Sequence, residues 1–399
     1  MQTLTEPMDP SKQFCPNLNC SARGKTGGGT ITIHDKQRRR YRCKVCKQTF
    51  SERRGTMFEG LRKPISLIVI VVTLLAYGCP VQAIVQAFGL DERTVAAWRD
   101  RAGEHCQQIH EVIVEQEQLD LMHVQADEIR VKGRQMVAWM GLAMMVSTRL
   151  WLAGTVSLSR DKDLADALLQ QVRRTALRLR PLLVLTDGWA AYPGSIVRAF
   201  REKVKITPGP GRACLQVWPD LQIGTVIKRT EKKRVVEITR RMAHGCLHRA
   251  EQLLSHSHGG DDLNTAFIER LNGTFRERLA TLTRKSRHAA SRLHALQTGM
   301  YLIGCTYNFC VVHQELSKAK HWGKACTPAM ASGLTDHLWS FAELLSYKVA
   351  PAPWVGPKRR GPRPKQAVQH AGSVQERRRS LRVRPLLRLR KGILSPTTS

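Results

Sequence analysis

The chain has 399 residues, 42% of them hydrophobic, enough for a packed core and for two to four domains. Its 64 Lys and Arg outnumber 32 Asp and Glu, and the resulting +32 calls for a polyanionic partner, nucleic acid first and an anionic membrane surface as the rival. A membrane-spanning chain is excluded as an expectation, because the most apolar run, Ile65 to Tyr77 between Pro64 and Gly78, falls short of the ~20 residues a span needs.

Residues 1–12 are polar and contain no hydrophobic signal core. Eleven cysteines are an odd count, and seven of them (Cys79, Cys106, Cys214, Cys246, Cys305, Cys310 and Cys326) are scattered. They read as reduced thiols rather than a disulfide framework, in keeping with a soluble cytoplasmic protein. Five segments follow in chain order: 13–57, 61–112, 119–312, 313–350 and 351–399.

Segment 13–57 holds Cys15 and Cys20 as a C-x4-C pair and Cys43 and Cys46 as a C-x2-C pair. Four thiolates in two knuckles suit tetrahedral Zn²⁺ in a structural role, and short strands at Thr30–Ile33 and Gln37–Arg42 around Gly27-Gly28-Gly29 make a zinc ribbon. The competing reading is four unrelated thiols in an unfolded head, since the segment has almost no apolar core; zinc would supply the missing folding energy. His34 is a minor alternative ligand. Arg38-Arg39-Arg40 is placed on the second strand, facing phosphate.

Segment 61–112 reads as helices. A helix at Ile65–Tyr77 precedes Pro80–Phe88, then Gly89-Leu90, then a helix from Asp91 to Ala102 with Asp91 as N-cap. Two short helices about a glycine turn, packed on a third, fit a helix-turn-helix. The second helix would offer Arg93, Thr94 and Ala97 to DNA bases, with Arg99 and Arg101 reaching phosphate. A plain helical hairpin packed on the rest of the chain is the alternative.

In segment 119–312, Leu121–Val131, Met136–Val146 and Leu150–Leu158 read as an antiparallel meander with polar turns at Lys132-Gly133-Arg134 and Ser147-Thr148-Arg149. Asp161–Leu177 is an amphipathic helix, and Pro181–Asp187 an unbroken apolar strand suited to parallel pairing. Asp187 closes that strand at its C-terminal end, where α/β folds place ligand sites. Asn264–Leu282 is a helix with an apolar stripe through Ile268, Leu271, Phe275, Leu279 and Leu282, and a polar line through Thr265, Glu269, Asn272 and Arg276. Three antiparallel strands, a helix and a strand ending in an acid follow the order of a ribonuclease-H-like α/β fold.

Asp127 in Ala-Asp-Glu-Ile, Asp187 in Leu-Thr-Asp-Gly-Trp and Glu269 in Asn-Thr-Ala-Phe-Ile-Glu-Arg-Leu-Asn resemble the three acids of DDE transposases. The Glu-Arg-x-Asn helix continuing to Arg276, with Tyr307-Asn308 beyond, is similar to insertion-sequence-one-like transposases of bacteria. The resemblance covers roughly residues 13–350; the family does not require the basic tail.

It implies a catalytic, metal-binding trio of Asp127, Asp187 and Glu269 holding two Mg²⁺ (or Mn²⁺) ions ~3.5–4 Å apart. Metal-activated water cuts each transposon end, and the freed 3′-hydroxyl attacks target DNA. It further implies double-stranded DNA as partner, a homodimer or larger assembly to bring two ends together, and a nucleoid-associated location in a bacterium.

Each residue has a plainer reading beside this one. Glu128, on the opposite strand face, is a solvated or salt-bridged neighbour. Asp187-Gly188 could be a turn cap, Glu269-Arg270 an exposed helix pair, and Asp261 and Asp262 N-terminal helix acids. Arg270, Asn272 and Arg276 are DNA-end contacts or a solvated face; His313 and His321 could be called catalytic, but scattered histidines near a helix end read as surface residues. The whole chain could instead be a DNA-binding regulator on an inert core, a junction nuclease or recombinase, or a relic. Segment 313–350 is a short helical appendage. From Pro351 on, 13 Lys and Arg face the single acid Glu376, which predicts a disordered tail serving either solubility or, through Lys358-Arg359-Arg360 and Arg377-Arg378-Arg379, as a non-specific DNA arm.

Overall fold

The computed structural model describes residues 7–132, 137–205, 212–232, 234–279, 282, 293–318 and 323–356. The tail from 357, His321 and the turn at Gly133-Arg134 lie outside the described residues. Contacts divide the chain into a unit up to Trp354 and a second from Val355 onward. The first is a mixed α/β structure around a six-stranded sheet.

The head contains β1 (Ile31–Asp35), β2 (Arg40–Cys43) and β3 (Thr49–Ser51) in one antiparallel sheet. The third strand was not anticipated; Phe50 on it is buried with Tyr41, Cys15, Cys20 and Cys43, a core too small to show as a sequence pattern. Of the basic run only Arg40 is on a strand. The second strand begins three residues later than expected, so Arg39 sits in the turn at φ 48°, where it pairs with Glu52.

Three helices follow: α1 (Ile65–Ala76), α2 (Val81–Phe88) and α3 (Glu92–Ile113). Gly89 ends α2 at φ 59°, and the Asp91 carboxylate caps α3 by accepting from the backbone N–H of Arg93 (2.9 Å) and Thr94 (3.3 Å). α3 runs well past Ala102. Its second half buries His105, Cys106, Ile109 and His110, and the two histidines interrupt the apolar period that would have extended the predicted helix. It packs on α8 (Leu293–Cys305) so closely that a Cβ on Gly103 would lie 2.1 Å from the Thr298 carbonyl oxygen.

The central sheet has the order β11-β10-β7-β4-β5-β6. β4 (Met122–Lys132), β5 (Val137–Met145) and β6 (Trp151–Ser157) form the expected antiparallel meander. After α4 (Lys162–Thr175), β7 (Leu182–Asp187) returns parallel to β4, with Ala126 opposite Thr186. α5 (Ala191–Ala199) and a small ribbon of β8 (Arg201–Val204) and β9 (Cys214–Val217) lead to β10 (Leu221–Glu231), parallel to β7, and β11 (Arg234–His244), antiparallel to β10.

The two sheet faces are covered by different helices. Gly141 meets Leu168 of α4, and the Glu128 carboxylate, on that same face, receives the Tyr192 hydroxyl of α5. The opposite face carries His123, Gln125 and Asp127, met by the end of α6 (Leu247–His256) and by α7 (Ala266–Arg278). α7 ends before Leu279, which is already extended, so the predicted helix to Leu282 is about one turn too long.

A π-helical turn, Thr306–Cys310, continues α8. Its buried Asn308 accepts from the Trp151 N–H and donates to the Trp151 carbonyl, both at 2.9 Å, locking this turn to β6. The appendage has two short helices, α9 (Pro328–Ala331) and α10 (Phe341–Ser346), and reaches the head: the Met57 N–H donates to the Leu345 carbonyl at 3.1 Å.

Candidate carboxylate site and thiol cluster

β4 alternates polar and apolar side chains through its first half. His123, Gln125 and Asp127 share one face, and all three are engaged by elements distant in the chain. His123 Nδ1 is 2.9 Å from Ser257 Oγ. Gln125 Oε1 accepts from the backbone N–H of Phe267 (3.1 Å) and Ile268 (3.0 Å), and its Nε2 donates to the Asn264 carbonyl (2.8 Å). One buried amide thus satisfies two orphan donors at the start of α7 and fixes that helix against β4.

One turn along α7, Asn272 Nδ2 donates to Asp127 Oδ2 at 2.7 Å. β7 stops at Asp187 while β4 continues to Lys132, so the sheet leaves a cleft beside Asp127. Asp127 and Asp187, next to one another in the parallel register, come together there. Oxygens of Asp127, Glu128 and Asp187 all lie within 4.8 Å of one another.

Glu128 is salt-bridged, as its strand face suggested, but it is also buried and belongs to the acid group. Arg160, in the loop between β6 and α4, donates from Nε to Glu128 Oε1 at 2.6 Å and reaches Asp187 Oδ2 at 3.6 Å. Its guanidinium lies over the rings of Trp139 (5.1 Å) and Trp189 (4.6 Å). Tyr192 Oη donates to Glu128 Oε2 at 2.9 Å.

Burial, then the negative charges of Glu128, Asp187 and Glu269, push the Asp127 carboxyl up to about 7. Burial and Asp187 raise Glu128 as well, against Arg160 and Tyr192. Glu269 lines a cavity of about 420 Å³ with Asp187, Arg160, Trp189 and Lys228. It is not a member of the close acid group among the described residues; its carboxylate is paired with Lys228 and accepts from Thr265 Oγ1 at 2.7 Å.

Hard carboxylate oxygens crowded at these separations are donors for a divalent cation of the Mg²⁺ type. Asn272 Oδ1 is buried with no hydrogen-bond partner among the described residues. Arg160, Tyr192, Gln125 and Lys228 escaped the sequence reading. Only Gln125 had a signal, since polar residues at 123, 125 and 127 break an otherwise apolar strand with a period of two.

In the head, Cys15, Cys20, Cys43 and Cys46 gather into one group, with Sγ–Sγ distances of 3.6 Å for Cys15–Cys46 and 3.8 Å for Cys20–Cys43. Burial pushes the Cys15 thiol up; Cys46 is held down at about 7, where hydrogen bonds from the Asn17 side chain and the Gln48 backbone outweigh its burial. Four such sulfurs can hold a metal ion.

The residues read as DNA contacts divide. Arg93 and Ala97 are exposed on α3 and Thr94 is half-buried. Arg99 is paired with Asp100 at 2.8 Å, and Arg101 donates to the carbonyls of Met57 (2.7 Å) and Glu59, so these two guanidiniums hold the protein's own groups. Arg270 and Arg276 are exposed on α7. Asn272 is buried on Asp127 and presents no surface to DNA, because its side chain lies on the face of α7 that meets β4. His313 is half-buried, with burial lowering its imidazole to about 4. No protein-family model and no curated protein matches this chain.

Proposed function

We propose that the chain cleaves and rejoins DNA as a DDE-type transposase, with Asp127, Asp187 and Glu269 as its metal-binding acids. The observation that carries this reading is the meeting of Asp127 and Asp187 on adjacent parallel strands, facing a helix that bears Glu269 and is pinned to the same strand by Gln125. The strand order, with a meander, a crossover helix and a parallel strand ending in an acid, supports a ribonuclease-H-like fold.

Two divalent ions of the Mg²⁺ or Mn²⁺ kind would supply Lewis-acid stabilisation of the attacking and leaving oxygens. Asp127 and Asp187 would hold them, and Glu269 would join if Lys228 turned to a phosphate. Asn272 orients the Asp127 carboxylate. Arg160 holds Glu128 and leaves its remaining donors for the substrate backbone. No covalent protein–DNA bond is needed, because water and then the freed 3′-hydroxyl would be the nucleophiles.

The thiol cluster is read as a structural zinc ribbon. A tetrahedron with Zn–S bonds of about 2.3 Å has S···S edges of about 3.8 Å, which the two sulfur separations match. α2, the Gly89 turn and α3 are read as a helix-turn-helix presenting Arg93, Thr94 and Ala97. The assembly would be a dimer or larger on two DNA ends.

The test is cleavage of a supercoiled plasmid carrying the DNA that flanks the reading frame, with Mg²⁺. Wild type should nick or cut it and transfer the 3′ ends; Asp187→Ala should do neither. Equal behaviour of the two proteins would overturn the enzyme and favour a DNA-binding regulator.

A further inference from the structure

β10 does not end where its parallel partner ends. Val226 is the last residue paired with β7, opposite Asp187, yet β10 continues to Glu231 and returns through β11. The extension is a two-stranded ribbon: Ile227 pairs with Thr239, Lys228 with Ile238, Arg229 with Glu237, Thr230 with Val235 and Glu231 with Arg234. At about 3.4 Å per residue it projects roughly 17 Å beyond the sheet. Every residue of β10 from Ile227 on is exposed, and β11 is exposed along nearly all its length, so among the described residues the projecting ribbon is not packed into a core.

Its charge is one-sided. From 227 to 241 the sequence has seven Lys and Arg against Glu231 and Glu237. Arg229 is taken up by those two glutamates, Arg240 by Asp262 and the Leu263 carbonyl, and Lys228 by Glu269. Lys232 and Arg234 at the tip and Arg241 near the base have no ion-pair partner among the described residues. The ribbon is continuous with the carboxylate cleft, since Val226, Ile227 and Lys228 form one wall of the cavity that holds Asp187 and Glu269. A polyanion in that cavity touches the base of the ribbon at Ile227 and Lys228.

We infer that the β10–β11 ribbon is a DNA-gripping arm, whose tip cations Lys232 and Arg234 bind the phosphates of the duplex flanking the scissile bond. The inference rests on the proposed strand-cleaving function for its choice of polyanion. A two-stranded ribbon has the width to enter a major groove, and the bulge at Arg229/Thr230 adds the local twist that lets it follow one. Lys228 links the arm to the acids: a phosphate in the cavity offers it a new anion, and its departure frees Glu269.

The experiment uses the full chain and a labelled duplex of random sequence, with binding followed across a salt series in chelator. Lys232→Ala with Arg234→Ala should weaken binding roughly tenfold and reduce the slope of log K against log salt by about 2, as expected for two lost phosphate contacts. Both side chains are exposed beside the turn, so the double variant should keep the wild-type melting temperature. Unchanged affinity and slope would overturn the arm, as would a double variant that binds DNA normally but changes oligomeric state, which would make the ribbon a protein interface. Asp187→Ala serves as the second protein: wild-type binding with lost cleavage keeps both readings. Binding that depends on the tip but no cleavage by wild type keeps the arm and removes the strand-cleaving reading.

Discussion

Asn272 on α7 donates from Nδ2 to Asp127 Oδ2 on β4 at 2.7 Å, while its own Oδ1 is buried with no partner among the described residues. The amide therefore engages Oδ2 while Oδ1 accepts from the Glu128 backbone N–H at 2.8 Å, so each oxygen of Asp127 has a donor. Asn272→Ala should destabilise the protein by about 1–3 kcal/mol by leaving a buried carboxylate short of a donor. Asn272→Asp should be worse without metal, because it adds a negative charge to an already crowded group. Denaturant unfolding checks both, and two variants as stable as wild type would remove Asn272 from the site.

Gln125 joins the same two elements by three hydrogen bonds. Gln125→Ala should cost about 2 kcal/mol and release the first turn of α7, read as faster amide exchange at Phe267 and Ile268. Gln125→Glu keeps both accepted bonds and loses only the donation to Asn264, so its exchange should stay near wild type. Equal exchange in all three proteins would show that α7 is held by packing alone.

The thiol cluster predicts one tightly bound metal per chain by elemental analysis. Cys43→Ser, or strong chelation, should expose the head to limited proteolysis, because its apolar core is only a handful of residues around Tyr41 and Phe50. A metal-free head that resists protease would mean that the thiols are ordinary core residues.

Three buried imidazoles set an acid limit. Burial holds His105 and His110 down at about 4 and His123 at about 3, against an ordinary 6.5. Below about 6.5 the unfolded chain takes up protons that the folded chain refuses, so stability is full above that pH and falls until about 4, for His123 to about 3. The three contributions have the same sign and add, so stability falls more steeply with acid than any one imidazole would cause. His123→Asn should flatten this dependence. Asp127 works with the opposite sign: its folded value of about 7 lies above its unfolded one, so its contribution is full below about 4 and lost as pH rises through 7. Asp127→Asn should therefore gain on wild type above pH 7 in metal-free buffer. Melting temperatures of the three proteins from pH 4 to 8 read both effects.

Gly103 and Gly89 are both glycines in the helical region, with different reasons. A Cβ at Gly103 would sit 2.1 Å from a backbone oxygen of α8, which cannot step aside, so Gly103→Ala should cost about 1–3 kcal/mol or more. Gly89 has open space around it but φ 59°, so Gly89→Ala should cost about 1 kcal/mol from backbone strain alone. Equal melting-temperature losses would show that α3 and α8 part without penalty.

The sequence by itself determined the two cysteine pairs, the antiparallel meander with its crossover helix and parallel strand, and the positions of Asp127 and Asp187. Each is a local pattern: ligand spacing, a period of two, an unbroken apolar run closing on an acid. Only the tertiary structure decided that Glu128 enters the acid group, that Asn272 turns inward rather than outward, that Arg99 and Arg101 are spent on their own chain, and that α3 continues beyond Ala102. Periodicity assigns a residue to a face, but what covers that face comes from elements tens of residues away, and for Gln125 and Asn272 more than a hundred. Arg160, Tyr192 and Lys228 reach the acids through such long-range packing, and nothing in their immediate neighbours along the chain encodes it.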